Sequence, residues 1–490
     1  MESLNLPFII YDFLCEKEKS PHQKEIIYNR RNSDTKGDEM MVFPPASFLS
    51  GRLLLEEEIP FPLPDSPAIQ KLPGLSKRNS RLYCERCGNN EKERFALFPC
   101  ARCQTECLYC RHCLMMGRIS GCSRLVYWTG AEPPYEGEGI LHWKGSLSEG
   151  QERASQAVTQ AIRENGEQLI WAVCGAGKTE VLFRGIEAAL LANKRVCIAT
   201  PRTDVVLELA PRLQHVFPGT KVAALYGGSP DRHLYSQLVV STTHQLLRFF
   251  QAFDVMIVDE VDAFPYSCDP SLQFAVQKAR KPDAALIYLT ATPNERWQKD
   301  CLHGKKAFVK IPARFHRQPL PVPQFSWIGN WKRAVKKGRL PASITSWAAR
   351  RLQVNKQSLL FFPHIEWMQQ ALPLFQQLDS SIAAVHAGDP ERKAKVAFMR
   401  DQKIPLLLST TILERGVTFP NIDVAVIGTE DEVFTESALV QIAGRAGRSA
   451  DFPDGEVRFF HYGKTRAAVK AIAHIRQMNK EGLEKGWLDR

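Results

Sequence analysis

The sequence predicts an α/β protein in which two units of parallel β-sheet follow one another, with a cysteine-rich module before them. Two observations carry this prediction. Short apolar runs alternate with helix-compatible segments over about residues 140–300 and again over 346–490, as in buried parallel strands joined by helices. Eight of the 13 cysteines lie between Cys84 and Cys122. A chain of 490 residues has room for about three such domains.

Residues 1–80 are predicted to be a variable, loosely ordered N-terminal region, because a charge-rich stretch is followed by a proline-containing one. The start of the chain has no basic segment and no small-residue cleavage site, so no signal peptide is expected. No apolar run reaches the ~18 residues that a membrane span needs. We therefore expect an intracellular protein without a transmembrane segment, whose reduced thiols favour metal binding over disulfides.

Residues 81–125 are the predicted cysteine module. The pairs Cys84/Cys87 and Cys110/Cys113 give the pattern CxxC-x22-CxxC, and four thiolates on two such turns can surround Zn²⁺ tetrahedrally. The gap between the pairs slightly exceeds that of common zinc ribbons. Redox chemistry is a weaker alternative, because no thioredoxin-like βαβ pattern accompanies the pairs.

A second set of cysteines lies within and just after this pattern: Cys100, Cys103, Cys107 and Cys122. Cys100 and Cys103 form a further CxxC turn, and the other two could complete a second, nested zinc site. His112 could replace one ligand. The alternative is that these are ordinary cysteines of a small module, and the sequence leaves both possibilities open.

The stretch "AVCGAGKTE" predicts a phosphate-binding loop, because it follows a strand-like run and precedes a helix-compatible one. Backbone N–H groups around the two glycines would meet the phosphates at the positive end of the following helix. Lys178 would reach the β- and γ-phosphates, and Thr179 would bind Mg²⁺. Ala172 stands where such loops usually have their first glycine. The predicted nucleotide-binding residues are Ala172, Val173, Cys174, Gly175, Ala176, Gly177, Lys178 and Thr179.

The stretch "VMIVDEVDAF" supplies the predicted catalytic carboxylates at the end of an apolar strand. Asp259 suits the Mg²⁺ shell, and Glu260 suits orientation and activation of the attacking water. Without the phosphate-binding loop, this pattern would more often be a solvated turn after a strand. Asp262 is predicted to link two domains rather than to act in catalysis.

Residues 301–345 are predicted to be a basic connector between the two units. From Cys301 to Ile365 there is no Asp or Glu but there are 13 Lys and Arg, more than the net charge of +11 for the whole chain. Aromatic residues are interleaved with these cations: Phe308, Phe315, Phe325, Trp327 and Trp331. Cations for phosphates and rings for stacking are typical of a track for single-stranded nucleic acid. A solvated basic face is the alternative.

Several motifs together resemble the superfamily 2 helicases. "DEVD" resembles the DEAD/DEAH box, and "LTATP" from Leu289 resembles the segment that couples hydrolysis to movement. "TPR" from Thr200 and "STTHQ" from Ser241 resemble nucleic-acid-contacting segments, while "TTILERGVTFP" and "QIAGRAGRS" resemble the late motifs of a second domain. The resemblance implies two tandem RecA-like helicase domains.

The same resemblance implies roles for three further residues. Arg448 would be the arginine finger that reaches the γ-phosphate across the cleft, and Arg445 would support it. Gln151, in "LSEGQ", stands where such proteins often place a glutamine that reads adenine.

Longer stretches, including "CERCGNN", "LYCRHCLMMGR" and "FTESALVQIAGRAGR", resemble the ComFA family of late-competence ATPases from about Arg81 to Met478. This resemblance implies an ATP-dependent translocase of single-stranded DNA that drives the uptake of transforming DNA. It would use ATP, Mg²⁺ and Zn²⁺, and work with the competence machinery at the inner face of the cell membrane. The family's zinc ligands match Cys84, Cys87, Cys110 and Cys113.

Two other functions are compatible with these motifs. One is a duplex-unwinding DNA helicase for replication restart or repair, since restart helicases also carry cysteine-rich zinc modules. The other is an ATP-gated DNA clamp or scaffold that switches without moving. Strand displacement would distinguish the first alternative, and translocation on single strands would distinguish the second.

Overall fold

The computed structural model describes residues 45–489, so the first 44 residues of the predicted variable region lie outside the described part of the chain. The N-terminal module consists of one short helix and eight strands in three small antiparallel sheets, with the orders β1-β8-β2, β3-β4 and β5-β6-β7. These elements are α1 (Pro45–Leu49), β1 (Leu53–Leu55), β2 (Ile69–Pro73), β3 (Leu75–Arg78), β4 (Arg81–Cys84), β5 (Phe95–Cys100), β6 (Thr105–Cys110), β7 (Ile119–Ser120) and β8 (Arg124–Trp128).

Residues 45–80 differ from the loosely ordered region that the sequence predicts. Strands β1 and β2 both pair with β8, which follows the cysteines, and Leu53 lies opposite Tyr127. The side chains of β1 are buried. The charge and proline content of this stretch suggested disorder. The strand with which it pairs lies far along the chain, so the local sequence does not reveal the pairing.

The first motor domain is a seven-stranded, all-parallel sheet with the order β11-β12-β10-β13-β14-β9-β15. Its elements are α2 (Glu149–Arg163), β9 (Glu167–Ala172), α3 (Lys178–Leu191), β10 (Val196–Thr200), α4 (Thr203–Val216), β11 (Val222–Leu225), β12 (Leu238–Thr242), β13 (Phe253–Val258), α5 (Pro270–Ala279), β14 (Arg280–Thr290), α6 (Glu295–Leu302) and β15 (Phe308–Ile311).

The second motor domain is a six-stranded parallel sheet with the order β16-β21-β20-β17-β19-β18. Its elements are β16 (Gln324–Trp327), α7 (Trp331–Lys336), α8 (Ala342–Gln353), β17 (Ser358–Phe361), α9 (Ile365–Gln376), β18 (Ala383–Val385), α10 (Arg392–Arg400), β19 (Leu406–Ser409), β20 (Asp423–Ile427), α11 (Glu436–Ala443), β21 (Val457–His461) and α12 (Arg466–Glu484). The prediction of two tandem RecA-like domains is confirmed.

The segment predicted as a connector, residues 301–345, contains one of the two edge strands of each sheet. Strand β15 pairs with β9 of the first sheet, and β16 pairs with β21 of the second. Each sheet therefore reaches beyond the ranges 140–300 and 346–490 that the alternating pattern indicates. The correction has a simple cause: both strands are short, and lysines, arginines and prolines around them mask the apolar signal.

Parallel pairing places the functional loops at one edge of the first sheet. Strands β9 and β13 are separated only by β14, and their carboxyl ends lead directly into "VCGAGKT" and "DEVD". Ligands of open α/β sheets bind outside this edge. None of the helices between residues 45 and 489 combines the length and the apolar character that a bilayer crossing requires.

Candidate functional site

The loop between β9 and α3 has the backbone of a phosphate-binding loop. Gly175 and Gly177 have φ angles of +82° and +70°, a region that a side chain makes unfavourable. Lys178 is the first residue of α3, and its Nζ donates to the carbonyl of Ala172 at 3.1 Å. Lys178 thus stabilises the loop, and the N–H groups at the N-terminus of α3 are available to bind phosphate.

One cleft brings together the predicted catalytic side chains except Arg445 and part of the predicted nucleotide-binding set. The remaining members of that set, Ala172, Val173, Cys174 and Ala176, are buried and do not line it. Its walls come from both motor domains, and the second domain contributes Gly416, Thr418 and Arg448. From the first domain the cleft is lined by Trp143, Gln151, Gly175, Gly177, Lys178, Thr179, Asp259, Glu260 and Phe315. The predicted lysine, carboxylates and arginine finger thus face one space, whereas Arg445 is not among the lining residues.

Asp259 and Glu260, the two carboxylates predicted to be catalytic, have unusual environments. Burial raises the pKa of Asp259 to about 6, with a further contribution from the negative charge of Glu260, while Lys178 opposes the shift. Glu260 has a φ of +54°, and its Oε2 is buried without a hydrogen-bond partner among the described residues. The nearest cation is Arg415, whose Nη1 lies 3.6 Å from that oxygen. A buried acceptor left free in this way fits a site that receives a water molecule or a ligand.

Arg448 and Arg445 differ in their position relative to the cleft. Arg448 lines the cleft, and its Nη1 donates to Thr418 Oγ1 at 3.3 Å. Arg445 is buried, and it donates to the carbonyls of Glu414, at 2.9 Å, and Val417. Burial lowers the pKa of Arg445 well below its ordinary value, and the neighbouring Arg448 adds to the effect. The structure therefore places Arg445 behind the wall of the cleft, where it braces the loop that carries Thr418.

The predicted zinc ligands of the module form one compact group. Cys84, Cys87, Cys110 and Cys113 are all buried, and their sulfurs lie within 4.8 Å of one another. Two of these Sγ–Sγ distances, Cys84–Cys113 and Cys87–Cys110, are 3.7 Å. A tetrahedral shell with Zn–S bonds of about 2.3 Å has sulfur–sulfur edges of about 3.8 Å. The spacing of the thiols therefore fits zinc.

Positive charge around this group agrees with the same assignment. The Arg86 side chain is fully buried, and its Nε and Nη1 have no hydrogen-bond partner among the described residues. Lys278 from α5 is also buried, and its Nζ donates to the Arg86 carbonyl at 2.7 Å. Zn²⁺ with four thiolates carries a charge of −2, which favours basic groups nearby. Arg86 Nη1 also lies 3.7 Å from Glu58 Oε2, and burial together with Arg86 lowers the pKa of Lys278 to about 7, so these two side chains offset the charge only in part.

Several known proteins are similar in sequence to this chain. The family model of the competence protein ComFA N-terminal domain matches residues 41–127. The competence protein ComFA of Bacillus subtilis is 49% identical over 406 residues, covering 83% of this chain and 87% of that protein. The chain belongs to the ComFA family. ComFA of Streptococcus pneumoniae is 38% identical over 88% of this chain and 98% of its own length.

The motor domains match wider families. Residues 144–295 match the type III restriction enzyme res subunit, and residues 343–450 match the helicase conserved C-terminal domain. A variant of Dbp5 from S. cerevisiae, solved with RNA and ADP–BeF3, matches with a TM-score of 0.50 at 13% identity, over 70% of this chain and 98% of that one. The chain is a helicase-like competence protein with the superfamily 2 ATPase fold, and this supports a role in DNA uptake.

The family model also matches 40 residues that the sequence motifs leave out, residues 41–80. The motifs alone place the start of the resemblance to ComFA at about Arg81. Most of this earlier part is the stretch that folds with β8, so the match and the pairing of β1 and β2 agree.

Asp262 links the two motor domains of this ComFA family member, as predicted. Its Oδ2 accepts from Arg415 Nη2 at 2.6 Å and from Ser437 Oγ at 2.5 Å, and both residues belong to the second domain. Thr290 and Thr292 of the first domain also donate to this carboxylate, each at 2.7 Å. Burial alone would raise the pKa of Asp262, but the Arg415 guanidinium and these hydroxyls lower it below its usual range.

Gln151 binds the phosphate-binding loop itself. Its side-chain oxygen accepts from the N–H of Ser148 at 2.8 Å, which closes a capping box at the start of α2. Its Nε2 donates to the carbonyls of Ala176, at 2.9 Å, and Gly177, at 3.3 Å. Both ends of the amide are engaged in this way, so adenine reading by Gln151 stays a prediction.

Arg314 is a residue beside the cleft that the sequence motifs did not identify. It follows β15, it is 2% exposed, and its guanidinium donates to the carbonyls of Ala446, at 2.8 Å, and Gly447. The next residue, Phe315, donates its N–H to the Gly175 carbonyl at 3.1 Å. Two consecutive residues therefore contact the phosphate-binding loop and the GRAGR segment. The signal was hidden, because Arg314 stands in a run of basic residues.

A second contact joins the same two segments. Cys174 of the phosphate-binding loop donates through Sγ to the side-chain oxygen of Gln441, at 2.9 Å. Both side chains are buried. The nucleotide loop is thus in direct contact with the helix that precedes Arg445.

The predicted nucleic-acid track is only partly supported by the placement of its rings. Trp331 is 1% exposed, and its Nε1 donates to Glu430 at 2.9 Å, so the prediction that it stacks on bases is wrong. Phe325 packs against the rings of Phe459 and His461. Trp327 remains available, with 66% of its surface exposed. Alternating rings were misread because short amphipathic elements also bury every second or third residue.

One segment predicted to touch nucleic acid instead touches the second domain. Arg202, from "TPR", donates to the carbonyl of Ile412 at 2.5 Å and lies 3.8 Å from a Glu414 oxygen. The segment "STTHQ" begins at the buried end of β12, where Ser241 and Thr243 are inaccessible.

Proposed function

We propose that this protein is an ATP-dependent translocase of single-stranded DNA that drives the uptake of transforming DNA in genetic competence. The observation that carries the proposal is the shared cleft. Lys178 and Glu260 of the first motor domain and Arg448 of the second line the same space. A nucleotide there would contact both domains, so its hydrolysis would change their relative position.

Each residue of the cleft has a role in this proposal. Lys178 exchanges the Ala172 carbonyl for the β- and γ-phosphates, while Thr179 and Asp259 hold Mg²⁺. Mg²⁺ held there would neutralise charge on the phosphates. Glu260 orients the attacking water, using the oxygen that lacks a partner. Arg448 stabilises the charge that develops on the γ-phosphate, and Arg445 holds the loop beside it.

The location of the work is also part of the proposal. The protein acts in the cytoplasm at the inner face of the membrane, where it is recruited by the competence uptake machinery rather than by a membrane span of its own. Family membership supports this placement. The acid-free basic segment supplies phosphate contacts to the incoming single strand.

Movement along a single strand is the property to test. An oligonucleotide with biotin at one end and bound streptavidin is incubated with protein and ATP, and release of streptavidin is followed. Wild type should release it from one of the two ends, and ATPase should be stimulated more by single strands than by duplex DNA or RNA. Arg448→Ala should bind the strand and ATP without releasing streptavidin.

Two outcomes would replace the proposal by its alternatives. Efficient displacement of a strand from a forked duplex would make the protein a duplex-unwinding helicase. ATP-dependent binding without any streptavidin release from either end, together with normal hydrolysis, would make it a clamp that switches but does not move.

A further inference from the structure

The cysteines outside the predicted zinc site form a second group of four. The sulfurs of Cys100, Cys103, Cys107 and Cys122 all lie within 4.8 Å of one another. Cys100 Sγ and Cys122 Sγ are 3.6 Å apart, close to the edge of about 3.8 Å expected for a tetrahedral zinc–thiolate shell. Four thiols converge here from β5, the following turn, β6 and the loop before β8.

The turn that carries two of these cysteines copies the turn of the first site. In the first site the Gly88 N–H donates to the Cys84 carbonyl at 2.8 Å, and Gly88 has a φ of +73°. In the second group the Gln104 N–H donates to the Cys100 carbonyl at 2.9 Å, with a φ of +57°. A left-handed conformation is unfavourable for glutamine. Its use here indicates that the turn is shaped to present two sulfurs to one ion.

Two hydroxyl groups lie within hydrogen-bonding distance of these sulfurs, as polar groups beside the ligands of a metal site often do. Thr105 Oγ1 donates to Cys103 Sγ at 3.5 Å, and Ser120 Oγ lies 3.4 Å from Cys122 Sγ. Hydrogen bonds of this kind stabilise thiolates bound to a metal. His112 takes no part: its Nε2 lies 2.7 Å from Ser271 Oγ of the first motor domain, so the sequence-based alternative of a histidine ligand is wrong.

The two groups lie on opposite faces of one ribbon. Cys107 and Cys110 are three residues apart on β6, and residues at odd spacing on a strand point to opposite sides. Cys100 pairs with Thr105, which shares the face of Cys107, so the second group collects on that side. Along the chain, two cysteines of the first group are followed by three of the second, then by two of the first and one of the second.

We propose that Cys100, Cys103, Cys107 and Cys122 bind a second zinc ion, which ties the β5–β6 hairpin to the loop before β8. The first site is closed off, whereas Cys103 and Cys122 are partly exposed. The second ion is consequently the one that a chelator removes first.

The metal content of the purified full-length chain tests this proposal. Wild type should carry two zinc ions, and Cys107→Ser and Cys122→Ser should each carry one. Cys268→Ser removes an exposed cysteine outside both groups and should keep two. A wild-type value of one, or a Cys107→Ser protein that still holds two, would overturn the second site, as would iron in place of zinc.

A measurement on the unmodified protein keeps the test independent of how the variants fold. Zinc release to a chromogenic chelator should occur in two steps of one equivalent each, with the faster step absent from Cys107→Ser. Replacement by cobalt should give the thiolate-to-cobalt absorption of a tetrathiolate site for both equivalents. A single step of one equivalent would contradict two sites.

Discussion

At the scale of single residues, Glu260 combines two unfavourable features at the point where catalysis is proposed. Its backbone is left-handed, and its buried Oε2 has no hydrogen-bond partner among the described residues, although Arg415 Nη1 lies 3.6 Å away. Both cost stability, and functional sites are where such costs persist. The sequence identified this residue from "DEVD" together with the phosphate-binding loop, because the motif fixes which residue follows the strand.

Glu260→Gln tests the role of this oxygen. The amide keeps the size of the side chain but loses the negative charge that polarises a water molecule. We expect ATP to bind with near-normal affinity and kcat to fall by about 10²- to 10⁴-fold. Lys178→Ala should instead weaken nucleotide binding as well. Near-normal DNA-stimulated ATPase in Glu260→Gln would refute the assignment; a fluorescent-nucleotide titration and a phosphate-release assay supply both quantities.

Arg314 is the residue for which sequence reasoning failed, and its bonds make a specific prediction. Arg314→Ala removes the donors to the Ala446 and Gly447 carbonyls, so the loop that carries Arg448 should lose its position. We expect kcat to fall at least about tenfold with a smaller change in KM, and Arg314→Lys to restore little, since lysine lacks the planar fork.

Arg317→Ala is the matched control for Arg314, because Arg317 stands in the same segment and pairs with Asp489 on the surface. It should leave kcat within about twofold of wild type. If Arg314→Ala and Arg317→Ala behave alike in steady-state ATPase assays, the contacts with the GRAGR segment do not position Arg448.

At the scale of elements, the sequence predicted the inner strands of both sheets and one edge strand of each, β11 and β18, but not the other edge strands, β15 and β16. Apolar runs such as "VMIVDE" and "PLLLSTT" correspond to β13 and β19, which lie inside their sheets. Strands β15 and β16 were missed, because they are set among basic residues and prolines and are only partly buried. Phosphate-binding residues were predictable because their spacing is local. The contacts of Arg314 and Cys174 were not, since their partners lie in a distant part of the chain.

Helix α7 and its flank contain the cations proposed to bind the DNA backbone: Lys332, Arg333, Lys336 and Lys337. Lys332 already lies 3.3 Å from an Asp431 oxygen, so it is the weakest of the four as a phosphate ligand. Neutral replacements should weaken binding about equally for all sequences. They should also flatten the dependence of log affinity on log salt, by about 0.7 for every phosphate that is no longer neutralised.

Binding to fluorescent oligonucleotides at several salt concentrations measures this slope. Arg296→Gln is a suitable control, because Arg296 is an exposed arginine on helix α6, outside the acid-free segment. An unchanged slope in the fourfold variant would show that α7 faces solvent rather than DNA.

At the scale of the whole molecule, the zinc module and the first motor domain share one core. Leu55, Cys113 and Ile119 of the module belong to the same buried cluster as Val258 and Leu272 of the motor. Gly88 fits so closely that an added Cβ would lie 2.8 Å from the ring of Phe274 on α5. The sequence separated these parts because composition changes between them, but composition does not report packing.

Loss of the first zinc ion should therefore lower the stability of the first motor domain. Cys84→Ser should release one zinc ion, make residues 81–125 sensitive to protease, and lower the Tm of the first motor domain by about 5 °C or more. Basal ATPase at low temperature should survive, because no residue of the cleft lies in the module. Differential scanning calorimetry, limited proteolysis and a phosphate-release assay give these quantities. An unchanged Tm together with zinc loss would contradict the shared core.

The shared core also has a mechanical consequence. A module joined to the first motor domain by a flexible linker would not follow the movements of that domain closely. A module that shares a core with the domain moves with it as one rigid body. If the protein is a translocase as proposed, DNA or a protein bound to the module would move together with the first motor domain, and therefore relative to the second, at each turnover.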